Sequence, residues 1–334
     1  MEREQSGGKG TGGMNGWRAR TTAMFGAVLT AFAIGVAPDA PAAPAAEPQG
    51  QRIAVAQPGR PPVALYVEEH GQGAPLLLLH GLGESTFTWR EIAPALSAHH
   101  RVIALDLKGF GRSEKPDDGA YSAEDQAALV AGFILERGLE GVTVIGHSFG
   151  GTVALRTALA EGIAGTSRIR RIVVIGSPAL PRSTPRYFDL VKAPLVPDTL
   201  VSALSPEAMA RLLLREAMGG HVGGKKNTAI TDDLVEGYAA PYRDTAAMTA
   251  FLATARAIVT EEGADAVAKR YATIDRPTLI VWCRKDPIVP LKAGRRLKAA
   301  IPRAEFTVLE GCHHLPQHER PQQLLKVLAR FLEK

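Results

Sequence analysis

The residue of this chain best placed to act as a nucleophile is Ser148, at the centre of the sequence Gly146–Gly150. The β-branched run Val142–Ile145 in front of it predicts a strand, and residues 151–160 behind it predict a helix. Serine in a tight strand-to-helix turn exposes its hydroxyl. Glycines are needed on both sides, because a Cβ there would collide with the neighbouring strand or helix. The turn also directs the backbone N–H of Phe149 into the site, at the positive end of the helix. This pattern predicts nucleophilic catalysis at Ser148.

A serine hydroxyl is a weak nucleophile near neutral pH, so this chemistry needs a base within hydrogen-bond distance. The chain has nine histidines, and the neighbours His313 and His314 are the strongest candidates because they lie in a loop after the last predicted strand. Asp286, which precedes Pro287 in an earlier loop, has a carboxylate that would fix an imidazole tautomer and stabilise the imidazolium. The residues alone leave open which histidine is the base, and whether Asp286 is only a turn residue.

Apolar runs separated by helical stretches predict the elements that must bring these side chains together. The first two runs suit a hairpin, and later runs are continuously apolar, as in strands buried on both faces. The alternation predicts an α/β fold with a mainly parallel central sheet and helices on both faces. One of these helices is expected over Trp89–Leu96. The predicted strands are residues 52–56, 63–68, 75–80, 101–106, 142–145, 171–176, 277–282 and 305–309.

The alternation stops between residues 181 and 273, where no convincing strand occurs and helical stretches are separated by joints rich in Pro, Gly and Lys. We interpret residues 181–273 as a helical cap inserted into a core made of residues 51–180 and 274–334. Most apolar residues of the cap, such as Leu213 and Phe251, are expected to pack between helices, and a few to line a pocket. A cap of this size predicts a small or medium apolar substrate held away from water.

Several separated motifs resemble those of the α/β-hydrolase superfamily, and the resemblance covers nearly all of residues 52–334. The motifs occur in the family order of nucleophile, acid and histidine. They are the oxyanion-loop motif His80–Gly83, the glycine-rich loop Asp106–Ser113, the nucleophile turn Gly146–Gly150, the acid loop Trp282–Pro287 and the histidine loop Gly311–Pro316. The resemblance implies an α/β-hydrolase core with an inserted helical cap.

The resemblance also implies a catalytic triad of Ser148, Asp286 and His314. His314 is favoured over His313 because the histidine of similar family members often lies two residues before a proline, here Pro316. Some relatives carry the acid after the sixth strand instead. No carboxylate directly follows that strand here, which leaves Asp286 as the expected acid.

The backbone N–H groups of Leu82 and Phe149 occupy the positions of the family's oxyanion hole. The implied activity is that of a serine hydrolase with a covalent acyl-enzyme, with small or medium apolar carboxylic esters as the expected substrates. Hydrolysis of C–C bonds, lactones or amides by the same mechanism is an alternative. A non-catalytic binding module of the same fold is another. No metal ion or organic cofactor is expected.

The charge of the chain argues against a nucleic-acid partner. Its 39 Lys and Arg against 34 Asp and Glu give a net charge of only +5. The short basic clusters, such as 168–171, are not interleaved with aromatic residues as a nucleic-acid platform would be. The expected partner is a small molecule, and the oligomeric state is left open.

The first fifty residues differ from the rest of the chain. A basic stretch is followed by the apolar run Ala23–Ala37, and then by a segment rich in Pro and Ala. This order predicts a signal for export and a linker over residues 1–50, and hence a periplasmic or extracellular protein. The alternative is an uncleaved N-terminal segment that anchors the protein to the membrane.

The two cysteines of the chain, Cys283 and Cys312, flank the residues proposed as acid and base. If the protein is exported, a disulfide would join these two loops. Two buried free thiols are an equally weighted alternative.

Overall fold

A computed structural model describes residues 50–57, 59–163, 167–181, 183, 205–220, 229–260 and 263–334. Its centre is an eight-stranded sheet. The strands are β1 Gln51–Gln57, β2 Arg60–His70, β3 Pro75–Leu79, β4 Arg101–Leu105, β5 Val142–His147, β6 Ile169–Ile175, β7 Thr278–Cys283 and β8 Glu305–Leu309. They lie in the order β1-β2-β4-β3-β5-β6-β7-β8. β1 and β2 form an antiparallel pair, β2 runs antiparallel to β4, and all other neighbours are parallel. The predicted mainly parallel α/β sheet is therefore confirmed.

Helices cover both faces of the sheet, because the central strands are apolar on both sides. On β6, Ile172 and Val174 belong to one buried cluster, and Val173 and Ile175 belong to the other. The helices outside the β6–β7 connection are α1 Ala93–Ser97, α2 Ala123–Glu136, α3 Phe149–Ile163, α8 Leu291–Ala300, α9 Pro316–Glu319 and α10 Pro321–Leu332. Helices α2, α3 and α8 contribute to the first cluster, and α1 and α10 to the second.

Every regular element described between β6 and β7 is a helix, and we call the described residues 205–220, 229–260 and 263–273 the helical insertion. Tyr238 and Leu214 from two of its helices share a small buried cluster with Leu315 of the histidine loop, and Phe87 packs against this cluster. The domain boundaries at residues 180 and 273 stay predictions. The helices of the insertion are α4 Pro206–Ala217, α5 Asp232–Ala239, α6 Ala246–Thr260 and α7 Ala264–Arg270, with a 3₁₀ turn at Ala240–Arg243.

The helix predicted at Trp89–Leu96 is wrong in its bounds. The structure has a 3₁₀ turn at Thr86–Trp89 and a separate short helix, α1, at Ala93–Ser97. Pro94 lies in the first turn of α1, where a missing N–H costs nothing. Because proline disfavours helical geometry in the residue before it and lacks a donor, the two segments do not merge.

The export segment and linker predicted at residues 1–50 lie outside the described residues apart from Gly50, and these assignments stay predictions. Among the helices that the structure describes, none is long and apolar enough to cross a membrane. The same described ranges contain no group of three His, Cys, Asp or Glu side chains that could hold a metal ion.

Candidate active site

Ser148 lies in the turn between β5 and α3 and has a left-handed backbone conformation. Its φ of 50° is the only positive φ of a non-glycine residue in the described part of the chain, a conformation that usually costs about 1–3 kcal/mol. Its N–H donates to the Ile175 carbonyl of the neighbouring strand at 2.8 Å, which holds the strained turn in place. A Cβ at Gly146 would lie 2.2 Å from the Gly150 carbonyl oxygen, so the predicted need for glycine is confirmed.

The structure brings the three predicted triad side chains together at the carboxyl ends of the parallel strands. His314 Nε2 lies 3.0 Å from Ser148 Oγ, and its Nδ1 lies 2.8 Å from Asp286 Oδ2. The other carboxylate oxygen, Oδ1, accepts the backbone N–H groups of Ile288 at 2.9 Å and Val289 at 2.8 Å. Each triad residue is at least nine-tenths buried. The arrangement can pass a proton from a serine hydroxyl to an imidazole whose second nitrogen is held by a carboxylate.

The neighbouring histidines His313 and His314 point to different places. His313 Nδ1 lies 2.8 Å from Glu319 Oε2, and its ring packs on Gly219, where an added Cβ would lie 2.5 Å from it. The backbone N–H of His314 donates to the carbonyl of Ala217, the last residue of α4, at 2.9 Å. Of the two rings, the one at hydrogen-bond distance from the nucleophile is His314, as the resemblance implied.

A second histidine–carboxylate pair, His147 and Glu84, contacts the backbone of His314. His147 Nε2 donates to the backbone carbonyl of His314 at 2.8 Å, and His147 Nδ1 lies 3.1 Å from Glu84 Oε1. Burial alone would raise the pKa of Glu84, but the imidazole of His147 and the N–H of Gly81 lower this pKa to about 2. Burial likewise opposes the charge on His147, yet Glu84 raises the pKa of His147. Both shifts favour the charged form of the pair, and the hydrogen bond from His147 Nε2 to the His314 carbonyl holds the loop that carries His314.

No sequence motif predicted that His147 and Glu84 support the site. Glu84 Oε2 accepts the N–H of Gly81 at 3.1 Å, and the N–H of Glu84 donates to the Gly81 carbonyl at 3.2 Å. An acid three residues after the start of a glycine-rich turn was the only local signal. Its partner His147 lies 63 residues away in the chain, and this pairing has no local signature.

The two predicted oxyanion donors lie at the start of α3 and in the turn Gly81–Glu84. Phe149 is the first residue of α3, where an N–H has no acceptor within the helix. For Leu82, no acceptor of its N–H occurs among the described residues. His80 secures the turn: its Nε2 accepts the N–H of Leu107 at 3.0 Å, so Nδ1 carries the proton and donates to the Gly81 carbonyl at 2.8 Å. Burial lowers the pKa of His80 to about 4, which keeps it neutral in this role.

A disulfide links the acid and histidine loops. Cys283 ends β7, three residues before Asp286, and Cys312 lies two residues before His314. The two cysteines are bonded, with their Cα atoms 5.3 Å apart, and both are buried. Of the two alternatives that the sequence left open, the structure has the disulfide.

Removing this bridge should destabilise the protein. We expect the double variant Cys283→Ala/Cys312→Ala to lose roughly 3–4 kcal/mol of unfolding free energy, because the bridge closes a loop with a sequence separation of 29 residues. Urea denaturation of the oxidised protein and of the variant measures the difference. Wild-type protein denatured with a reductant present is the matched control and should show a similar loss. Equal stability of the oxidised protein and the variant would contradict the expectation.

Comparison with known proteins places the chain in a family. The family model of the alpha/beta hydrolase fold matches residues 74–321. The chain belongs to the alpha/beta hydrolase fold family. Among its relatives, this hydrolase is 30% identical to 2-hydroxymuconate semialdehyde hydrolase of Pseudomonas putida, over 80% of its own length and 89% of the relative's. It is 29% identical to an uncharacterised hydrolase of Bacillus subtilis, over 77% of its own length and 89% of the relative's.

Solved structures share the fold of this hydrolase. The meta-cleavage product hydrolase of Pseudomonas fluorescens IP01 superposes with a TM-score of 0.69 at 26% identity, covering 85% of this chain and 97% of the other. A thermophilic esterase of Thermogutta terrifontis superposes with a TM-score of 0.69 at 23% identity, covering 85% and 98%. The second likeness shows the fold alone. The hydrolase names of these relatives agree with a site built around a serine, a histidine and an aspartate.

Proposed function

We propose that this hydrolase cleaves carboxylic esters through a covalent acyl-enzyme formed on Ser148. The observation that carries the proposal is the hydrogen-bonded series from Asp286 to His314 at 2.8 Å and from His314 to Ser148 at 3.0 Å. A buried carboxylate, an imidazole and a hydroxyl in this order are what activation of a serine requires.

In the proposed reaction, Ser148 Oγ bonds to the ester carbonyl carbon while His314 Nε2 takes its proton. The carbonyl oxygen becomes an oxyanion, which accepts hydrogen bonds from the N–H groups of Leu82 and Phe149. Collapse of this intermediate breaks the bond to the alkoxy group, which leaves as the alcohol with the proton from His314. Water then attacks the acyl-enzyme with His314 as base, and the acid is released from Ser148. Asp286 holds the imidazole and stabilises its charged form throughout.

The helical insertion favours a small or medium apolar acyl group. An atom added at Gly83 would lie 3.1 Å from Leu213 Cδ1 and 3.1 Å from Phe251 Cε2, so these apolar side chains lie directly over the turn next to Leu82. The hydroxyl of Tyr242 lies there too, 3.1 Å from the Gly83 carbonyl. Apolar cover at this position keeps water away from the oxyanion and suits an uncharged substrate.

Hydrolysis of a C–C bond is the second candidate. The observation that favours it is the similarity to 2-hydroxymuconate semialdehyde hydrolase at 30% identity and to a meta-cleavage product hydrolase at 26%. The same nucleophile and base would serve, and only the leaving group and the groups that recognise the substrate would differ. Lactones and amides would be hydrolysed by the same mechanism and are included in the substrate panel.

A substrate panel separates these candidates. p-Nitrophenyl acetate, butyrate and octanoate are compared with 2-hydroxymuconate semialdehyde, a lactone and an anilide, using kcat/KM as the measure. We expect the short and medium esters to exceed the semialdehyde by about 100-fold, since the described apolar side chains over the turn, Leu213 and Phe251, offer its carboxylate no charge partner. A higher kcat/KM for the semialdehyde would replace ester hydrolysis with the C–C reaction. Absence of turnover, together with no labelling by a fluorophosphonate probe, would indicate a binding module instead.

We also propose that the protein is exported and works outside the cytoplasm, with a membrane anchor as the alternative. Support comes from the pattern of residues 1–50 and from the buried Cys283–Cys312 disulfide, since such bonds persist mainly in oxidising compartments. N-terminal sequencing of protein recovered from cell fractions tests this. A soluble cytoplasmic protein that retains residues 1–50 would contradict it.

A further inference from the structure

The turn Gly81–Glu84, which contains the proposed oxyanion donor Leu82, is held from two sides. On the core side, His80 Nδ1 donates to the Gly81 carbonyl at 2.8 Å. On the other side, the hydroxyl of Tyr242 donates to the Gly83 carbonyl at 3.1 Å. Tyr242 belongs to the helical insertion, in the 3₁₀ turn Ala240–Arg243. The Tyr242 anchor therefore comes from the helical insertion, whereas the triad lies on the core.

The contact between the turn and the insertion is close and depends on glycine. Gly83 has a φ of +77°, and a Cβ there would lie 2.8 Å from the Tyr242 hydroxyl. The ring of Tyr242 in turn packs edge-on against Phe251, with their centroids 6.3 Å apart. Burial, followed by the charge of Glu84, raises the pKa of Tyr242, so its hydroxyl stays protonated and remains a donor.

We propose that Tyr242 is a positioning residue that holds the N–H of Leu82 where the oxyanion forms, so that docking of the insertion completes the oxyanion hole. The Gly81 carbonyl and the Leu82 N–H belong to the same planar peptide, so the His80 anchor sets the direction of that N–H. The Gly83 carbonyl lies two peptides further along the chain, and its anchor to Tyr242 restricts the movement of the residues that follow Leu82. The inference rests on the proposed function, because it assigns a role at the same reacting oxygen.

An ion pair fixes Tyr242 in place through the adjoining helix. Lys115 Nζ lies 3.0 Å from Asp244 Oδ2, and the side chain of Lys115 is only 6% exposed. Asp244 Oδ1 also accepts the N–H of Ala246, the first residue of α6, at 3.0 Å. The pair thus joins the core to the insertion two residues after Tyr242. Loss of the charge on Asp244 should loosen the same anchor to a smaller degree.

The test compares Tyr242→Phe with Tyr238→Phe. Tyr238 is a matched control because its hydroxyl also joins the insertion to the core, but contacts Thr88 at 3.0 Å and His318 at 3.1 Å rather than the turn. The best substrate of the panel gives kcat and KM. A trifluoromethyl ketone reports the oxyanion directly: Ser148 Oγ bonds to its carbonyl carbon, the carbonyl oxygen becomes the oxyanion, and the hydroxyl proton passes to His314. The carboxylate product of the reaction serves as a second inhibitor, because it binds the site without forming such an oxyanion.

For Tyr242→Phe we expect kcat to fall about 10-fold with KM unchanged, as for the loss of one hydrogen bond that orients an oxyanion donor. The inhibition constant of the trifluoromethyl ketone should rise by the same factor, and that of the product should not change. Tyr238→Phe should keep the wild-type kcat, KM and both inhibition constants. A merely structural role of Tyr242 would not separate the ketone from the product.

Unchanged kcat and ketone affinity in a folded Tyr242→Phe overturn the inference. Equal losses in the two tyrosine variants overturn it as well, because they would mean general loosening of the insertion. If Tyr242→Phe does not fold, Asp244→Asn takes its place, with an expected two- to threefold decrease in kcat at constant KM; an unchanged kcat overturns the inference. Failure of the proposed function looks different: the wild type itself neither turns over a substrate nor binds the ketone, and both proposals fall.

Discussion

Ser148→Ala should lower ester hydrolysis by about 10⁴-fold or more, because it removes the atom that becomes bonded to the acyl group. The variant should fold as the wild type does. Alanine at a φ of 50° is strained much as serine is, and the hydrogen bond from the N–H of this residue to the Ile175 carbonyl remains. Initial rates with the best ester and labelling by a fluorophosphonate probe measure the loss, with circular dichroism as a check of the fold.

Ser97→Ala is the matched control for this variant. Ser97 is partly exposed near the end of α1, and its hydroxyl only donates to the Pro94 carbonyl at 2.9 Å. Its removal should leave activity and labelling unchanged. Retention of more than a few per cent of activity in folded Ser148→Ala would mean that another group attacks the substrate, and the acyl-enzyme proposal would be abandoned.

Asp286→Asn should lower kcat by about 10³–10⁴-fold with little change in KM. The reason is the tautomer of His314. An asparagine in this place keeps its oxygen toward the N–H groups of Ile288 and Val289 and turns its NH₂ toward His314 Nδ1. The Nδ1 atom then becomes an acceptor, Nε2 carries the proton, and the imidazole has no lone pair to accept the proton of Ser148.

The control for this substitution is Asp275→Asn, at a carboxylate that is 76% exposed and 3.6 Å from Arg276. The control should keep the activity of the wild type, because an exposed pair of this kind contributes little. Steady-state kinetics of both variants give the comparison. A decrease of less than about tenfold for Asp286→Asn would show that the acid has been assigned to the wrong residue.

The sequence predicts well those parts of the molecule whose signals are local. The continuous apolar runs become the strands of the sheet, and its mainly parallel order is confirmed. Each predicted triad residue lies in a short motif just after a strand. Because parallel strands end at the same edge of the sheet, these residues meet there: His314 lies within hydrogen-bond distance of both Asp286 and Ser148.

Contacts between distant parts of the chain were beyond the reach of the sequence. Glu84 has no distinguishing neighbours, and its role depends on His147, 63 residues later. Tyr242 reaches Gly83 from 159 residues away, and no periodicity marks that contact. The bounds near Trp89 were wrong for a different reason: the predicted helix ran through Pro94, which instead lies in the first turn of a separate helix. Pairings of this kind follow from tertiary packing, for which a single sequence has no pattern.

The hydrogen bond from the His314 N–H to the Ala217 carbonyl, 2.9 Å long, bears on how relatives of this enzyme could be recombined. Ala217 ends a helix of the segment expected to select substrates, yet its carbonyl is one of the supports of the proposed general base. A chimaera that takes this segment from another family member would therefore inherit a new anchor for the imidazole along with a new specificity. Selectivity and turnover should change together in such chimaeras, unless the donor segment ends its helix at the same place.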